Sequence, residues 1–282
     1  MRVRCCLSAL VLACATTPVA AQDAKSLVAK NLEARGGEAA LGAIKSIRFE
    51  GRTIFPGDFE LTYKETRAQL GQGAASRLDL TVQGLDLVQA YDGRGDAWKI
   101  NPFQGRKDPE KMSSDEAREM ADSALIEGPL LASRTDGSQV QYLGRDDFDG
   151  TLAYKLKVIQ KDGDQFNYWL DPDTFLEIKV EETRRIRGAT HTTETELGDY
   201  EKVAGIYFPM SIESWTQGDS QRQRTIIATG EANAQVGSDF FAEPGGVAIA
   251  AKAPSEPPDA STKPHRNKGG KKLPSASKPK GE

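Results

Sequence analysis

The sequence predicts a mainly β protein, in which one antiparallel sheet of about eleven strands is accompanied by a few short helices. Apolar and polar residues alternate over short runs, a period of two that is typical of strands with one buried face. Turn residues such as Asp92-Gly93 and Ala204-Gly205 separate the runs at the spacing of an antiparallel meander. No strand–helix–strand unit is found, which argues against a parallel sheet.

Residues 1–21 are predicted to be a secretory signal peptide. Arg2 and Arg4 form a positive segment, Cys5 to Ala15 is almost entirely apolar, and small residues lead to a cleavage site after Ala21. The apolar run is shorter than the roughly 20 residues that span a bilayer. We therefore expect export to the periplasm.

The three cysteines of the chain all precede residue 15. Lipidation of Cys14 is an alternative to cleavage, and it is less favoured because Leu12 is bulky and the apolar run is very short. Cleavage would leave no cysteine and only His191 and His265, which excludes a Cys/His zinc site. The core alone must then hold the fold, since no disulfide can form.

Residues 251–282 are predicted to be a disordered basic tail rich in Pro, Lys and Ser, without aromatic residues. The whole chain has a net charge of −4, so the remaining body is strongly acidic, which argues against nucleic acid as a partner. The tail could contact anionic lipid or cell-wall polymers, but a solubilising role is the preferred interpretation. Residues 22–250 are expected to form one domain.

The elements of this domain can be placed in chain order. A helix is predicted from Ala24 to Ala34, ended by Gly36-Gly37 and followed by a short helical turn. Ser113 to Glu116 reads as a capping box that begins a helix reaching Leu125. Strands are predicted at residues 47–54, 59–63, 78–82, 85–91, 97–100, 139–143, 153–160, 165–170, 175–187, 190–202, 206–215 and 223–236.

Several strands have one apolar face, as in Tyr154-Leu156-Val158 and Phe166-Tyr168-Leu170. A broad sheet of this kind must cover that face. The few short helices can cover it only in part, so we expect a hydrophobic cavity between sheet and helices. A well-packed closed barrel remains the alternative that periodicity does not exclude.

No grouping of residues predicts catalysis. His191 lies in a polar strand and is interpreted as a surface residue, and an envelope hydrolase that uses it is the weakest alternative. The acidic turns near Asp146 and Asp171 lack the spacing of an EF-hand calcium loop. We expect no catalytic residue, no cofactor and no metal site.

The segment from Ala90 to Phe103 is the most informative one. Asp92-Gly93 turns the chain, Trp98 re-enters the sheet, and Asn101-Pro102 ends the strand because proline cannot donate to the ladder. The order of these motifs resembles that of LolA-type periplasmic lipoprotein carriers. More closely, the chain is similar to the outer membrane lipoprotein-sorting proteins over nearly the whole body. Further matching stretches are Glu33-Ala34-Arg35-Gly36-Gly37, Gln83-Gly84, Asn101-Pro102-Phe103-Gln104-Gly105, Lys107-Asp108-Pro109-Glu110-Lys111-Met112, Tyr154-Lys155-Leu156, Leu170-Asp171-Pro172, Leu176-Glu177-Ile178-Lys179 and Phe208-Pro209.

This resemblance implies an unclosed β-barrel, a curved antiparallel sheet with the helices as a lid over a cavity that takes acyl chains. It implies a carrier or chaperone for lipid or acylated lipoprotein, with inner- or outer-membrane transport proteins as further partners. We expect a monomer. The carriers have a Lys-Arg-Pro stretch in the third strand region, where this chain has Glu65 in place of the arginine. Arg67 or Arg77 could compensate as cargo-interacting basic residues.

Six apolar residues are candidates for the cavity or the lid: Trp98, Phe103, Met120, Leu125, Leu130 and Leu131. For the two aromatic residues a core or lid position is preferred over contact with cargo. Met120 and Leu125 are interpreted as helix packing unless their helix is the lid, and the two remaining leucines either line the cavity mouth or anchor a loop. A non-enzymatic cell-envelope scaffold tethered by the basic tail is the alternative function.

Overall fold

The structure, a computed structural model, describes residues 23–245. The predicted signal peptide, Cys14 and the predicted basic tail lie outside the described residues. The helices are α1 (Ala24–Arg35), α2 (Glu38–Ala43), α3 (Ser114–Ser123) and α4 (Gly128–Ala132), with 3₁₀ turns at Pro102–Gln104 and Ser238–Phe240. The strands are β1 (Ser46–Phe55), β2 (Phe59–Leu70), β3 (Gly73–Val82), β4 (Leu85–Tyr91), β5 (Ala97–Ile100), β6 (Glu110–Lys111), β7 (Gln139–Phe148), β8 (Thr151–Ile159), β9 (Gln165–Leu170), β10 (Glu177–Ile186), β11 (Ala189–Val203), β12 (Ile206–Thr216) and β13 (Gln223–Ala232).

All thirteen strands form one antiparallel sheet in the order β6-β5-β4-β3-β2-β1-β13-β12-β11-β10-β9-β8-β7. Strands adjacent in sequence pair with each other, and β1 pairs with β13 to join the two halves. The edges β6 and β7 do not pair, so the curved sheet stays open. The predicted mainly β, unclosed architecture is confirmed. The two-residue β6 is too short to show an alternating pattern, which is why the sequence did not predict it.

Bulges bend the sheet at three strand pairs, because an extra residue on one strand increases the local twist. One bulge lies between Glu50 and Gly51, where β1 meets β13. A Cβ atom on Gly51 would lie 2.1 Å from the carbonyl oxygen of Ile226. Only glycine therefore allows these two central strands to approach so closely.

Local signals in the sequence set the helix ends. Asp23 caps α1 by accepting a hydrogen bond from the backbone N–H of Ser26, and Gly36 ends the helix. A Cβ atom on Gly36 would lie 2.3 Å from the carbonyl oxygen of Gly205, so this glycine also lets α1 pack on the β11–β12 turn. The predicted capping box before α3 is confirmed.

The chain must cross from one sheet edge to the other between β6 and β7, and this connection carries α3 and α4. Residues 112–138, here called the covering segment, lie over the concave face of the sheet, where α3 contacts β3, β4 and β5. Helix α1 contacts α4, β7 and β12 beside it. No helix within residues 23–245 combines the length and the hydropathy of a membrane-spanning segment.

The core on the concave face is divided into two main clusters. The first surrounds the edge-to-face pair of Phe49 and Phe208, whose ring centroids are 5.2 Å apart. The second joins α1 and α4 to strands β8 and β9, with Leu131 and Leu156 fully buried. Side chains of both clusters border the cavity described next.

Candidate functional site

A cavity of about 280 Å³ lies between the concave face of the sheet and the covering segment. The sheet side includes Phe49, Leu197 and Ile212, and the covering side includes Leu125 and Leu130. These apolar walls arise because alternate residues of each strand point to the same face. The volume is close to the lower end of the roughly 300–1,000 Å³ that small-molecule sites occupy.

Charged side chains also line this cavity, and each of its three arginines contacts a carboxylate. The first is Arg67 on β2, which contacts Glu65 two residues earlier on the same face. Its Nε lies 3.0 Å from Oε1 of Glu65, and its Nη2 lies 2.9 Å from Oε2. The hydroxyl of Tyr63 donates to the same Oε2 at 2.7 Å. Burial raises the pKa of Tyr63, and the charge on Glu65 raises it further.

Arg35, at the end of α1, forms the second ion pair. Its Nη1 lies 3.3 Å from Oε1 of Glu177, and both side chains are buried. Its Nε donates to the carbonyl oxygen of Tyr207 at 2.8 Å, which fixes the guanidinium plane. The hydroxyl of Tyr200 donates to the carbonyl oxygen of Glu177 at 2.7 Å. Burial raises the pKa of Tyr200, and the charge on Glu177 adds to that increase.

Arg184 on β10 forms the third and largest ionic cluster. Its Nη1 lies 2.5 Å from Oδ2 of Asp164, its Nη2 lies 2.6 Å from Oδ2 of Asp122, and its Nε contacts Glu182. Burial raises the pKa of Asp122, although the charge on Arg184 acts in the opposite direction. Because Asp122 belongs to α3, this cluster ties the covering segment to the sheet.

Three of the predicted residues, Leu125, Leu130 and Arg67, line the cavity. Leu131 is fully buried in the second core cluster. Met120 and Arg77 border another cavity of about 270 Å³ beneath α3, which shares Glu65 with the first.

The structure places Trp98 and Phe103 away from the main cavity. Trp98 packs with Val88, and its Nε1 donates to the carbonyl oxygen of Phe241 at 2.8 Å. Phe103 lies in the first 3₁₀ turn and is 46% exposed. Arg77 stacks near the Trp98 ring, 5.7 Å from its centroid.

Arg67 was a candidate basic residue, but sequence reasoning missed its carboxylate partner and the other ionic side chains that line the cavity. A charged pair two residues apart on one strand, such as Glu65 with Arg67, was a signal that could have found some of them. Arg35 and Glu177 are 142 residues apart, so no local pattern could pair them. His191 is exposed on β11. Within residues 23–245, no three His, Cys, Asp or Glu side chains are grouped as metal ligands would be.

Three solved structures share this fold. A domain from Vibrio parahaemolyticus, described as an outer membrane lipoprotein-sorting protein, has a TM-score of 0.55 and 13% identity over 77% of this chain and 97% of that chain. A LolA superfamily protein from Nitrosomonas europaea has a TM-score of 0.52 and 16% identity over 79% of this chain and 98% of that chain. A DUF1329 family protein from Desulfovibrio piger has a TM-score of 0.56 and 12% identity over 78% and 97%.

No protein-family model matches the sequence, and no curated protein matches it. At these identities the structural matches define the fold alone, and that fold is LolA-like.

Proposed function

From its LolA-like fold, we propose that this chain is a periplasmic carrier that binds an acyl chain of a lipid or lipoprotein and moves it between envelope membranes. The observation that carries the proposal is the cavity beneath the covering segment, whose walls include Leu125, Leu130 and Ile212. The predicted signal peptide of residues 1–21 supports the periplasmic location. The structural neighbour described as a lipoprotein-sorting protein supports acylated protein as a cargo.

The energetics of binding favour burial of hydrocarbon without chemistry on the cargo. Each methylene group moved from water into an apolar site contributes about 0.8 kcal/mol. The cavity of about 280 Å³ is small, so we propose that it takes one acyl chain at a time. Leu125 and Leu130 belong to the covering segment, so movement of that segment would give the chain a route in and out.

The first test identifies any lipid that is bound to the purified protein. Protein purified from the periplasm without detergent is extracted with organic solvent, and the extract is analysed by mass spectrometry. We expect acyl-containing species in stoichiometric amount. An extract without acyl species, together with no binding of a fluorescent fatty acyl probe, would overturn the proposal.

A second test fills the cavity. Leu197 on β11 is half-buried and lines the cavity, so Leu197→Trp adds an indole to the space that the chain would occupy. We expect loss of probe binding with the fold retained, as judged by circular dichroism. The matched control is Leu152→Trp on β8, where the leucine is 51% exposed. Equal binding by both variants would argue against this cavity as the site.

A further inference from the structure

We propose that the cavity selects acyl chains with an uncharged head and rejects those that end in a carboxylate. The reason is that the guanidinium group of Arg67 is already paired with the carboxylate of Glu65. This inference rests on the proposed function and adds the chemical class of the cargo. Ester- and amide-linked chains, as in glycerolipids and acylated proteins, belong to the accepted class. Free fatty acid anions belong to the rejected class.

Arg67 would be the natural partner of an anionic head, but its charge is already paired with a carboxylate, which uses two of its five N–H donors. Two of its nitrogens face the two carboxylate oxygens of Glu65 at 3.0 and 2.9 Å. Such paired, charge-assisted bonds are stronger than neutral hydrogen bonds. An incoming carboxylate would have to displace Glu65, and the side chain of Glu65 is only 11% exposed. The displaced carboxylate would stay buried without its cation, which is costly.

The other two arginines of the cavity are occupied in the same way. Arg35 contacts Glu177, and Arg184 contacts Asp122 in the covering segment. Glu182 also contacts Arg184 and lines the cavity. Glu127 adds a further acidic side chain to the lining.

The acidic residues of the lining therefore outnumber its arginines. Carboxylates that exceed the cations around them disfavour a further negative charge. An uncharged ester or amide head meets no such repulsion, so the hydrocarbon chain can contribute its full burial energy.

The test compares three amphiphiles that share one hydrocarbon chain and differ in charge: oleate, oleamide and oleylamine. Each displaces a fluorescent acyl probe from the delipidated mature protein at mildly alkaline pH, where the carboxylate is ionised. We expect oleamide to bind about tenfold more tightly than oleate. Equal affinity for both would overturn the selectivity and leave the carrier proposal intact. Failure of all three amphiphiles, and of the probe, would overturn both.

The Glu65→Gln variant tests the role assigned to Glu65. Removing this negative charge frees Arg67, so oleate should bind about tenfold more tightly to the variant, whereas oleamide should be unaffected. The matched control is Glu60→Gln on the same strand, where Glu60 is exposed and faces Arg52 at 3.6 Å. An unchanged oleate affinity in E65Q would overturn the proposal.

Further variants test whether the gain in oleate affinity depends on Arg67. The double variant E65Q/R67Q should lose the gain for oleate, because no guanidinium group remains at this position. If E65Q does not fold, Arg67→Gln tests the same effect of the charge of Glu65 on oleate binding. It leaves the charge of Glu65 unpaired, so oleate should bind more weakly than to the parent protein. Oleate binding to R67Q as tight as to the parent protein would overturn the proposal.

Discussion

Both faces of strands β8–β12 bury aromatic side chains, but different groups cover these side chains on the two faces. On the concave face, Phe166 and Tyr168 lie beneath the helices. On the convex face, Trp169 is only 5% exposed, and side chains of the sheet itself lie against its ring. The ammonium groups of Lys155 and Lys179 lie 4.2 and 5.1 Å from the centroid of its ring.

The difference shows where a cavity can form. Lysine side chains from adjacent strands follow the pleat of the sheet, so they cover Trp169 closely while their ammonium groups pair with Asp146 and Glu194. The helices on the concave face are few and short, so they cover it only in part. The concave face therefore keeps a gap, and the side chains that border that gap include buried ion pairs as well as apolar groups.

The largest effect on stability is expected at the ionic cluster of Arg184, which ties the covering segment to the concave face of the sheet. Arg184→Met removes the cation shared by Asp122 and Asp164. Asp164 keeps an ion pair with Arg118 at 3.4 Å, but Asp122, whose side chain is 16% exposed, is left without a cation. We expect the free energy of unfolding to fall by about 3–5 kcal/mol, measured by urea denaturation. The control is Arg185→Met at the next, exposed position, which should change stability by less than about 0.5 kcal/mol. Similar losses in both variants would contradict the structural role of the cluster.

A smaller effect on stability is expected from the apolar side chains of the covering segment. Leu131→Ala in α4 opens a space in the second core cluster, where the leucine is fully buried. It should cost about 3 kcal/mol of unfolding free energy in the same assay. The comparison variant is Leu152→Ala at an exposed position of β8, with an expected cost below about 0.5 kcal/mol. A cost below about 1 kcal/mol for Leu131→Ala would mean that α4 packs less closely than described.

On the convex face, two substitutions of one residue separate packing from charge. Lys179→Ala removes the stem that covers Trp169 and should cost about 1 kcal/mol of stability. Lys179→Met keeps most of the stem and removes the ammonium group, with its ion pair to Glu194 and its contact with the Trp169 ring, so it should cost about 0.5 kcal/mol. If the methionine variant proved the less stable of the two, the charge of Lys179, and not the packing of its stem on Trp169, would stabilise this face.

The smallest effect concerns pH and the start of α3. Burial raises the pKa of Glu116, but hydrogen bonds from Lys99 and Ser113 outweigh this and lower it from 4.5 to about 2. A lowered pKa stabilises the folded protein above pH 4.5, and this stabilisation is lost as the pH falls towards about 2. In Glu116→Gln we expect this acid-induced loss to be shallower, by less than about 1 kcal/mol because the carboxylate is partly exposed.

The measurement for this prediction is a series of urea denaturation curves between neutral pH and the acid limit of the native state. Glu119→Gln on the same helix is the matched control, since Glu119 makes no ion pair within residues 23–245. The control should keep the slope of the parent protein. An unchanged slope in Glu116→Gln would show that other carboxylates account for the acid sensitivity.

Much of the fold was predictable from the sequence because it is encoded locally. Alternation along Phe166 to Leu170 identifies a strand, and Ser113 with Glu116 identifies a helix start. The position of the cavity was predictable only in outline, from an apolar face with too little cover. Leu125 and Leu130 were candidates on this ground, whereas Trp98 has a partner at Phe241 that lies 143 residues away.

The sequence by itself determined most of the strands, the turns, the capped helices and the antiparallel class, because each depends on residues a few positions apart. Only the tertiary structure decided that β1 pairs with β13, and that Arg35 and Arg184 find carboxylates from distant segments. An alternating pattern shows that a strand has two faces, but it carries no information about which distant group will lie against each face. The cavity and its charge therefore arise where the covering segment folds back across the sheet.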